Sequence, residues 1–335
     1  MPLFFLSMWK LGKFEIDSKA VLGPMAGITF RSYREFMSRF GFGVCITEMV
    51  SDMGLIYGNE ETSTYIDFQK GDYLTGVQLF GHEPENIKKA AEIALKKNNC
   101  IDFFDLNMGC PVPKVTNTGA GSALMKNPKL CGDIIRAIKS VTDKPVTAKI
   151  RLGWDNNSIN YFEVIKELED AGVDMIAIHS RTRKELYAGK PHHDLLKGLR
   201  SKMRVPLVIS GNIYTLDDAI NAMDITGADA VMVARGGIGN PYLLEQINQY
   251  FKDGIRLESP SLKEQLLWCK ELGEMIVEEK GEFTGMRVYR AIAPKFILGI
   301  PNAKKYKVRL CTELETLDSL NHILKDIAED NEIEF

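Results

Sequence analysis

The clearest candidate for chemistry is a cysteine in the run Asp105-Leu106-Asn107-Met108-Gly109-Cys110-Pro111-Val112-Pro113-Lys114. Cys110 lies in a loop that contains two prolines and that follows the short apolar run Phe103–Leu106. No histidine or carboxylate stands immediately beside it, so the ordinary thiol pKa of ~8.5 keeps it protonated at neutral pH. This predicts a proton donor rather than a nucleophile. The alternative is a core cysteine, which would not need such a loop.

A lysine and a glutamine are placed to meet a bound group with a polar edge. Lys149 stands among Val146, Ala148 and Ile150, which have the character of buried residues, so strand alternation points it to the opposite face. A buried lysine needs an anion. If the bound group is a flavin, that anion is the charge that develops at its N1/C2 edge on reduction. Gln78 offers a donor and an acceptor to the imide-like edge of such a ring. The alternative for Lys149 is a side chain that extends into solvent.

Two small, donor-rich turns are candidates for binding a cofactor phosphate. They are Ala234-Arg235-Gly236-Gly237-Ile238-Gly239 and Ser210-Gly211-Asn212, and each follows an apolar run. In β/α barrels, backbone N–H groups at neighbouring turns of this kind commonly bind phosphate. One glycine-rich turn alone is equally compatible with a simple corner between a strand and a helix. The second turn favours the phosphate site.

Eight short apolar runs, separated by helix-sized segments, organise the chain. They are Ala20–Gly23, Val44–Thr47, Leu74–Leu79, Phe103–Leu106, Val146–Ile150, Met175–Ile178, Leu207–Ile209 and Ala230–Val233. The segments between them have helical periodicity, as in Glu85–Lys96. This pattern predicts an α/β fold of the TIM (β/α)8 barrel type, with an open doubly wound sheet as the alternative.

Polar residues at the strand ends favour the barrel over the open sheet. They are Pro24-Met25, Glu48, Gln78, Asn107 to Cys110, Lys149, Arg151, His179, Ser210 to Asn212 and Ala234 to Gly236. In a barrel, the loops that follow all eight strands converge on one face, where the chemistry takes place. The sequence therefore predicts one site at the mouth of a barrel.

A second, helical unit is predicted after the barrel. The polar stretch Asp253–Pro260 is followed by Ser261 and, three residues later, Glu264, which is the pattern of a capping box at a helix start. Leucines and isoleucines recur at helical spacing beyond it. We expect a catalytic barrel over residues 1–252 and a small helical domain over residues 253–335.

Composition narrows the class of protein without identifying it. The 335 residues carry a formal net charge of −3, with 45% hydrophobic and 26% charged residues, which is typical of a soluble globular protein. The six cysteines form no C-x-x-C pair, so we expect reduced thiols in the cytoplasm and no metal site. No apolar stretch approaches the ~20 residues that span a bilayer. The short run Pro2–Trp9 is interpreted as packing rather than targeting.

Several runs together resemble one known family. They are Gly23 to Thr29, Thr47 to Ser51, Gly76 to Gly81, Asn107 to Pro111, Gly119 to Ser122, Lys149 to Arg151, His179 to Arg183 and Tyr187 to Gly189. The chain from about residue 15 to 310 is similar to the bacterial tRNA-dihydrouridine synthases, and to their B-type branch in particular. The Asn-x-Gly-Cys-Pro loop is the most specific part of the resemblance.

The resemblance implies an oxidoreductase that acts on a CH–CH bond with NAD(P)+ as acceptor. It would reduce the C5=C6 bond of uridine in the D-loop of tRNA, using FMN that NADPH or NADH has reduced. Hydride would pass from flavin N5 to C6, and Cys110 would protonate C5. Asn107 and Arg151 would face the base. Contacts with FMN would fall on Pro24, Met25, Ala26, Gln78, Lys149, His179, Ser210, Gly211, Asn212, Ala234 and Arg235.

Three positions depart from the family's usual pattern. Phe30 stands where these enzymes commonly carry an aspartate, and Ser210-Gly211-Asn212 replaces a common Asn-Gly-Asp turn. Pro191-His192-His193 replaces an Ala-Asp-Trp-like stretch. We interpret the histidine pair as part of a solvated loop rather than a metal site, since no further ligands cluster nearby.

A basic stretch in the helical unit is the candidate RNA contact. Between Thr284 and Thr312 there are seven basic residues, no acidic residue, and the interleaved aromatic residues Tyr289, Phe296 and Tyr306. The basic residues are Arg287, Arg290, Lys295, Lys304, Lys305, Lys307 and Arg309. In an otherwise acidic chain this favours binding to phosphates over a merely solvated helix face, and Arg287, Arg290 and Lys295 are the predicted contacts.

Two other functions stay open at this point. A dihydroorotate-dehydrogenase-like or ene-reductase-like FMN enzyme would share the barrel and the loop cysteine, but it would not need the basic helical unit. An RNA-binding protein with the barrel as a scaffold would not need Lys149, Gln78 and Cys110. We expect tRNA as a partner and no obligate protein partner or membrane.

Overall fold

Eight parallel strands close into a barrel in the computed structural model, which describes residues 8–297 and 299–335. In the order around the barrel they are β10 (Ala230–Val233), β3 (Ala20–Leu22), β4 (Val44–Ser51), β5 (Leu74–Phe80), β6 (Phe103–Met108), β7 (Val146–Arg151), β8 (Met175–His179) and β9 (Leu207–Ser210). The predicted TIM barrel is confirmed, because all eight predicted runs are barrel strands. The open sheet is excluded, since β10 pairs in parallel with both β3 and β9.

Helices surround the barrel and continue beyond it. They are α1 (Arg31–Ser38), α2 (Asp52–Ile56), α3 (Glu60–Thr64), α4 (Pro84–Lys97), α5 (Pro113–Thr116), α6 (Pro128–Lys139), α7 (Tyr161–Asp170), α8 (Leu216–Thr226), α9 (Leu243–Asp253), α10 (Leu262–Lys280), α11 (Glu282–Tyr289), α12 (Ala303–Thr312) and α13 (Leu317–Asp330). Short 3₁₀ turns cover Gly121–Lys126, His193–Leu196, Leu199–Lys202, Arg235–Gly237 and Ala293–Lys295. Within the described part of the chain, none of these helices is both long enough and apolar enough to cross a membrane.

Strand alternation decides which side chains enter the barrel. In β6, Phe104 and Leu106 belong to the core between the strands and the helices, whereas Phe103 belongs to the apolar cluster inside the barrel. Asp105 and Asn107 have the same parity as Phe103 and therefore also point inward. The barrel interior is thus apolar at its lower end and polar at its mouth.

A short β-hairpin covers the lower end of the barrel. It pairs β1 (Trp9–Leu11) with β2 (Phe14–Ile16), and its buried residues Trp9, Leu11 and Ile16 pack in the same apolar cluster as Phe103. This hairpin could not be predicted from the sequence, because strands of three residues are too short to show a period. The run Pro2–Trp9 was expected to pack; Trp9 is buried, whereas residues 2–7 lie outside the described residues.

The C-terminal helices share a core with the barrel. The predicted capping box at Ser261 is confirmed, since Ser261 and Glu264 exchange hydrogen bonds at the start of α10. Helix α10 packs on α1, and its Trp268 ring lies 5.1 Å from the ring of Phe40, two residues beyond the end of α1. The backbone N–H of Ser32 also donates to Glu279, at 2.6 Å. Helix α9 ends at Asp253, but one continuous core joins the two parts, and the boundary between residues 252 and 253 stays a prediction.

Candidate active site

A cavity of about 430 Å³ opens at the C-terminal ends of the barrel strands. Every residue predicted to act in catalysis, to bind the cofactor or to face the base lines this cavity. They are Cys110, Pro24, Met25, Ala26, Gln78, Lys149, His179, Ser210, Gly211, Asn212, Ala234, Arg235, Asn107 and Arg151. The cavity is also lined by residues to which the sequence analysis gave no role, notably Met49, Tyr187 and Tyr214.

The loop that carries Cys110 is held on both sides of the cysteine. The Ser122 hydroxyl donates to the Cys110 carbonyl at 2.9 Å, and the Cys110 N–H donates to Asn107 Oδ1 at 2.8 Å. Burial raises the pKa of the Cys110 thiol, although a backbone hydrogen bond from Val112 and the charge of Arg151 act in the opposite direction. The thiol therefore keeps its proton at neutral pH.

Gln78 and Asn107 are joined to a buried carboxylate that the sequence analysis did not assign to the site. Gln78 Nε2 donates to Asp105 Oδ2 at 2.6 Å, and Asn107 Nδ2 donates to Gln78 Oε1 at 2.8 Å. The Thr147 hydroxyl donates to the other oxygen of Asp105 at 2.5 Å. Asp105 is fully buried, and this desolvation raises its pKa to about 6. Its place in the run before Cys110 was the signal available in the sequence.

The ammonium group of Lys149 lies in a poorly solvated position. Its side chain lines the cavity, and burial, with the nearby charge of Arg151, lowers its pKa to about 8. The carboxylate of Asp105 acts in the opposite direction and favours the charged form. A lysine in this state is suited to bind an anion, because an anionic ligand would restore the charged form.

Arg151 forms hydrogen bonds with the loops around the cavity. Its Nε donates to the carbonyl of Gly109 at 2.8 Å, and its Nη1 donates to the carbonyls of Thr182 and Leu186 at 2.9 and 2.8 Å. Three of the five N–H donors of the guanidinium are thereby used. The predicted contact of Arg151 with a base stays a prediction. It would use the N–H donors of Nη2, which are the two that remain.

His179 is neutral, and its tautomer follows from its partner. Arg181 Nη1 lies 3.1 Å from His179 Nε2, and since arginine only donates, this nitrogen accepts. Burial and the charges of Lys149 and Arg151 hold the pKa of His179 well below its ordinary value. The ring proton therefore resides on Nδ1, and the neutral imidazole lines the cavity.

The two turns predicted to bind phosphate lie side by side because backbone approaches backbone there. A Cβ at Gly236 would lie 1.8 Å from the Ile213 carbonyl oxygen, so only glycine fits. Gly211 has a φ of +129°, which L side chains rarely adopt. The exposed guanidinium of Arg235 stacks on the Tyr187 ring at 4.7 Å. This places a cation and two tight backbone turns on one side of the cavity.

The interpretation of one departure from the family pattern changes. His193 is not part of a solvated loop: it is buried, its Nδ1 lies 2.7 Å from the Ser180 hydroxyl, and its Nε2 lies 3.2 Å from the Gly211 carbonyl. Only its neighbour His192 is solvated, beside Glu185. Among the described residues, no group of histidine, cysteine or acidic side chains is arranged to hold a metal ion. Phe30 is buried, with the Lys280 ammonium 4.4 Å from the centre of its ring.

The aromatic residues of the basic stretch are part of the core. Tyr289, Phe296 and Tyr306 are at most 1% exposed, so the interpretation that they accompany the basic residues on an RNA-binding surface was wrong. Alternation of core and surface positions along the helices interleaves such residues with basic ones. Arg309 is also committed to ion pairs, with Asp326 at 2.6 Å and Glu313 at 2.9 Å.

The three predicted RNA contacts do not line the cavity, and one of them, Lys295, lies against the loop that follows β10. Arg287 and Lys295 are exposed, and Arg290 is half-buried, with its Nε donating to the Leu314 carbonyl at 2.8 Å. A Cβ at Gly239 would lie 2.2 Å from the Lys295 carbonyl carbon, so the backbones are in contact there. Lys295 therefore adjoins the loop that follows β10, whereas Arg290 contacts the segment before α13.

Comparison with known proteins gives consistent matches. The family model described as dihydrouridine synthase matches residues 21–330. A probable tRNA-dihydrouridine synthase of Rickettsia conorii is 35% identical over 301 residues, which cover 90% of each chain. The tRNA-dihydrouridine synthase B of Shewanella oneidensis is 32% identical over 281 residues, or 84% of this chain and 87% of that one. Histamine dehydrogenase from Rhizobium sp. 4-9 shares the fold, with a TM-score of 0.53 at 14% identity over 82% of this chain and 51% of that chain.

Proposed function

The chain belongs to the dihydrouridine synthase family, and from that premise we propose that it is a tRNA-dihydrouridine synthase that reduces uridine with FMN and a nicotinamide nucleotide. The predicted family resemblance is confirmed, as is its B-type character in the names of relatives. One observation carries the proposal: a protonated cysteine, a lysine with a lowered pKa and two phosphate-type turns line the same cavity.

The residues of the cavity fit FMN. The close approach of Gly236 to Ile213 provides a cradle that a side chain would fill, and Arg235 adds the charge that a phosphate requires. Lys149 is suited to the charge that develops at N1 on reduction, and Gln78 keeps one N–H donor for the ring edge. A volume of about 430 Å³ is within the range of sites that hold cofactors of this kind.

The chain's own residues supply the proton and the orientation of the base. Bound FMN, once reduced by NADPH or NADH, would supply the hydride that C6 of the uracil receives. Cys110 then gives its proton to C5, and the thiolate is reprotonated from solvent before the next turnover. Asn107 and Arg151 fix the loop through Cys110 N–H and the Gly109 carbonyl. The raised pKa of the thiol keeps the proton in place until the base arrives.

The proposal is tested with purified protein, FMN and unmodified tRNA. We expect NADPH- or NADH-dependent formation of dihydrouridine, measured by mass spectrometry of digested tRNA, and loss of dihydrouridine at defined positions in cells that lack the gene. If the protein instead oxidises NADPH with orotate or a small enone and leaves tRNA unchanged, the small-molecule alternative replaces this function.

Two adjacent glycines provide a test of the phosphate turn. Gly236→Ala places a methyl group against the Ile213 carbonyl oxygen, and we expect the affinity of the apoprotein for FMN to fall about 10- to 100-fold, as overpacking costs about 1–3 kcal/mol. The matched control is Gly237→Ala, whose methyl meets Met37 and Val233 side-chain atoms at 3.2 Å. Flavin fluorescence titration measures both. Equal affinities in the two variants would remove the turn from the cofactor site.

The basic surface formed by Arg287, Arg290 and Lys295 is tested through the salt dependence of RNA binding. Replacing all three by glutamine should weaken tRNA binding and reduce the slope of log K against log salt by about 2–3, since each lost phosphate contact removes ~0.7–0.9. Oxidation of NADPH by the flavin-loaded enzyme should persist. Filter binding or fluorescence anisotropy at several salt concentrations measures the slope.

A second triple variant shows whether the effect on RNA binding comes from these three residues or only from the change in net charge. Lys89, Lys96 and Lys97 are exposed on α4, and the last two lie at its C-terminal end, which faces away from the barrel mouth. Their replacement by glutamine removes the same charge and should leave the slope as in the wild type. If both triple variants bind tRNA alike, the basic surface is not the binding site.

A further inference from the structure

We propose that Asp105 is a positioning residue that fixes the direction of a hydrogen-bond chain from Asp105 through Gln78 and Asn107 to the backbone of Cys110. Asp105 would thereby orient the amide that faces the flavin and the loop that carries the proton donor at the same time. This inference rests on the proposed function and names a residue that touches neither cofactor nor base.

The direction of the chain follows from what each group can do. An ionised carboxylate only accepts hydrogen bonds, and Asp105 accepts from Gln78 Nε2 and from the Thr147 hydroxyl. Gln78 must therefore turn its oxygen toward Asn107, which donates to it through Nδ2. Asn107 in turn presents its oxygen to the N–H groups of Gly109 and Cys110, at 3.2 and 2.8 Å.

A reversed chain would disorder the site. If Gln78 turned its nitrogen toward Asn107, the Asn107 amide would have to turn as well, and its NH₂ group would then face the Cys110 N–H. Two donors cannot bond, so the loop would lose the contact that fixes Cys110. The second N–H of Gln78, which is left for a ligand, would also be replaced by an acceptor. All these groups are buried or nearly so, and an unmade hydrogen bond is expensive there.

Two substitutions, Asp105→Asn and Thr147→Val, test whether the direction of the hydrogen-bond chain depends on what residue 105 can accept and donate. In Asp105→Asn the new amide can turn its oxygen to Gln78 and its NH₂ to the Thr147 hydroxyl, which can accept, so the chain keeps its direction. In Thr147→Val the carboxylate still accepts from Gln78. In the double variant no hydroxyl at position 147 holds the other end of the new amide, so residue 105 no longer fixes the orientation of Gln78. The effects of the two substitutions should therefore be strongly non-additive.

Two measurements on the four proteins test this. We expect each single variant to bind FMN within about threefold of the wild type, and the double variant to lose at least about tenfold and to show a shifted flavin absorption spectrum. In the apoproteins, hydrogen exchange at the Cys110 amide should be slow in the wild type and single variants and fast in the double variant. Additive changes in exchange and affinity would overturn the proposal.

The control is a second buried aspartate at the lower end of the barrel. Asp102 immediately precedes β6 and accepts from the Thr75 N–H at 2.9 Å and from Lys70 at 2.5 Å. Asp102→Asn should lower stability in urea denaturation while leaving the flavin spectrum and the Cys110 exchange unchanged. A wild-type protein that binds no FMN would overturn the proposed function, whereas the exchange measurement would still decide the role of Asp105.

Discussion

Cys110→Ala is expected to slow uridine reduction by a factor of about 10²–10⁴, which corresponds to about 3–5 kcal/mol in the activation barrier. The substitution removes the proton for C5, while the cavity and the backbone contacts of the loop remain. FMN affinity and the rate of flavin reduction by NADPH should therefore change little. Single-turnover measurement of dihydrouridine formation, beside stopped-flow reduction of the flavin, separates the two steps.

The pH dependence gives an independent check of the same residue. Burial raises the pKa of the Cys110 thiol, so proton transfer from Cys110 should be constant at neutral pH and fall as the pH rises through this raised value. In Cys110→Ala this decline should be absent, whereas a decline caused by deprotonation of Lys149, with a pKa of about 8, should remain. The exposed Cys311 provides the control, since Cys311→Ala should behave as the wild type. An alanine variant with unimpaired turnover would exclude Cys110 as the acid.

Lys149→Met is expected to lower FMN affinity or the rate of flavin reduction by about 10- to 100-fold, equivalent to the ~1.5–3 kcal/mol of a charge-assisted hydrogen bond. The physical reason is the loss of the cation that meets the charge developing at the flavin N1 edge. Titration with FMN and stopped-flow reduction measure the two quantities. Wild-type values for both would refute the assignment.

The same substitution should stabilise the apoprotein at neutral pH. The pKa of Lys149 is about 8 in the folded protein and ~10.4 in an unfolded chain, so the folded state binds fewer protons between these values. The cost of the buried charge is fully present below pH 8 and disappears as the pH rises toward 10.4. We expect Lys149→Met to gain up to ~3 kcal/mol at pH 7 and progressively less above pH 8. Lys96→Met, on the exposed end of α4, should show no such gain.

The barrel and most of the cavity could be predicted because they depend on local patterns. Each strand is a short apolar run, and alternation within a strand fixes the face on which Lys149 or Asn107 lies. The end of a barrel strand is also the place where its chemistry is found. The predicted residues of the cavity therefore lie together without any knowledge of their partners.

The connections among these residues could not be predicted, because they join distant parts of the sequence. Arg151 bonds to the carbonyls of Gly109, Thr182 and Leu186, and a carbonyl has no signature in a sequence. Asp105 acquires its role only through Gln78 and Thr147, which belong to the neighbouring strands β5 and β7.

The sequence also could not show which residues of a polar stretch are buried. The sequence does not distinguish the buried His193 from the exposed His192, because the difference depends on the approach of Ser180 and Gly211 from other loops. Tyr289, Phe296 and Tyr306 were similarly misplaced, since a helix that packs on a core carries aromatic and basic residues in alternation.

The hairpin of β1 and β2 has a consequence for the order of events in turnover. Because Trp9, Leu11 and Ile16 cover the lower end of the barrel, ligands reach the cavity from the opposite face, where the loops after the strands converge. The nicotinamide ring and the target base would then need the same approach to the flavin and could not occupy it together. Under the proposed function, the reductant would have to depart before RNA binds, so the kinetics would be of the alternating, ping-pong type and each substrate would inhibit the half-reaction of the other.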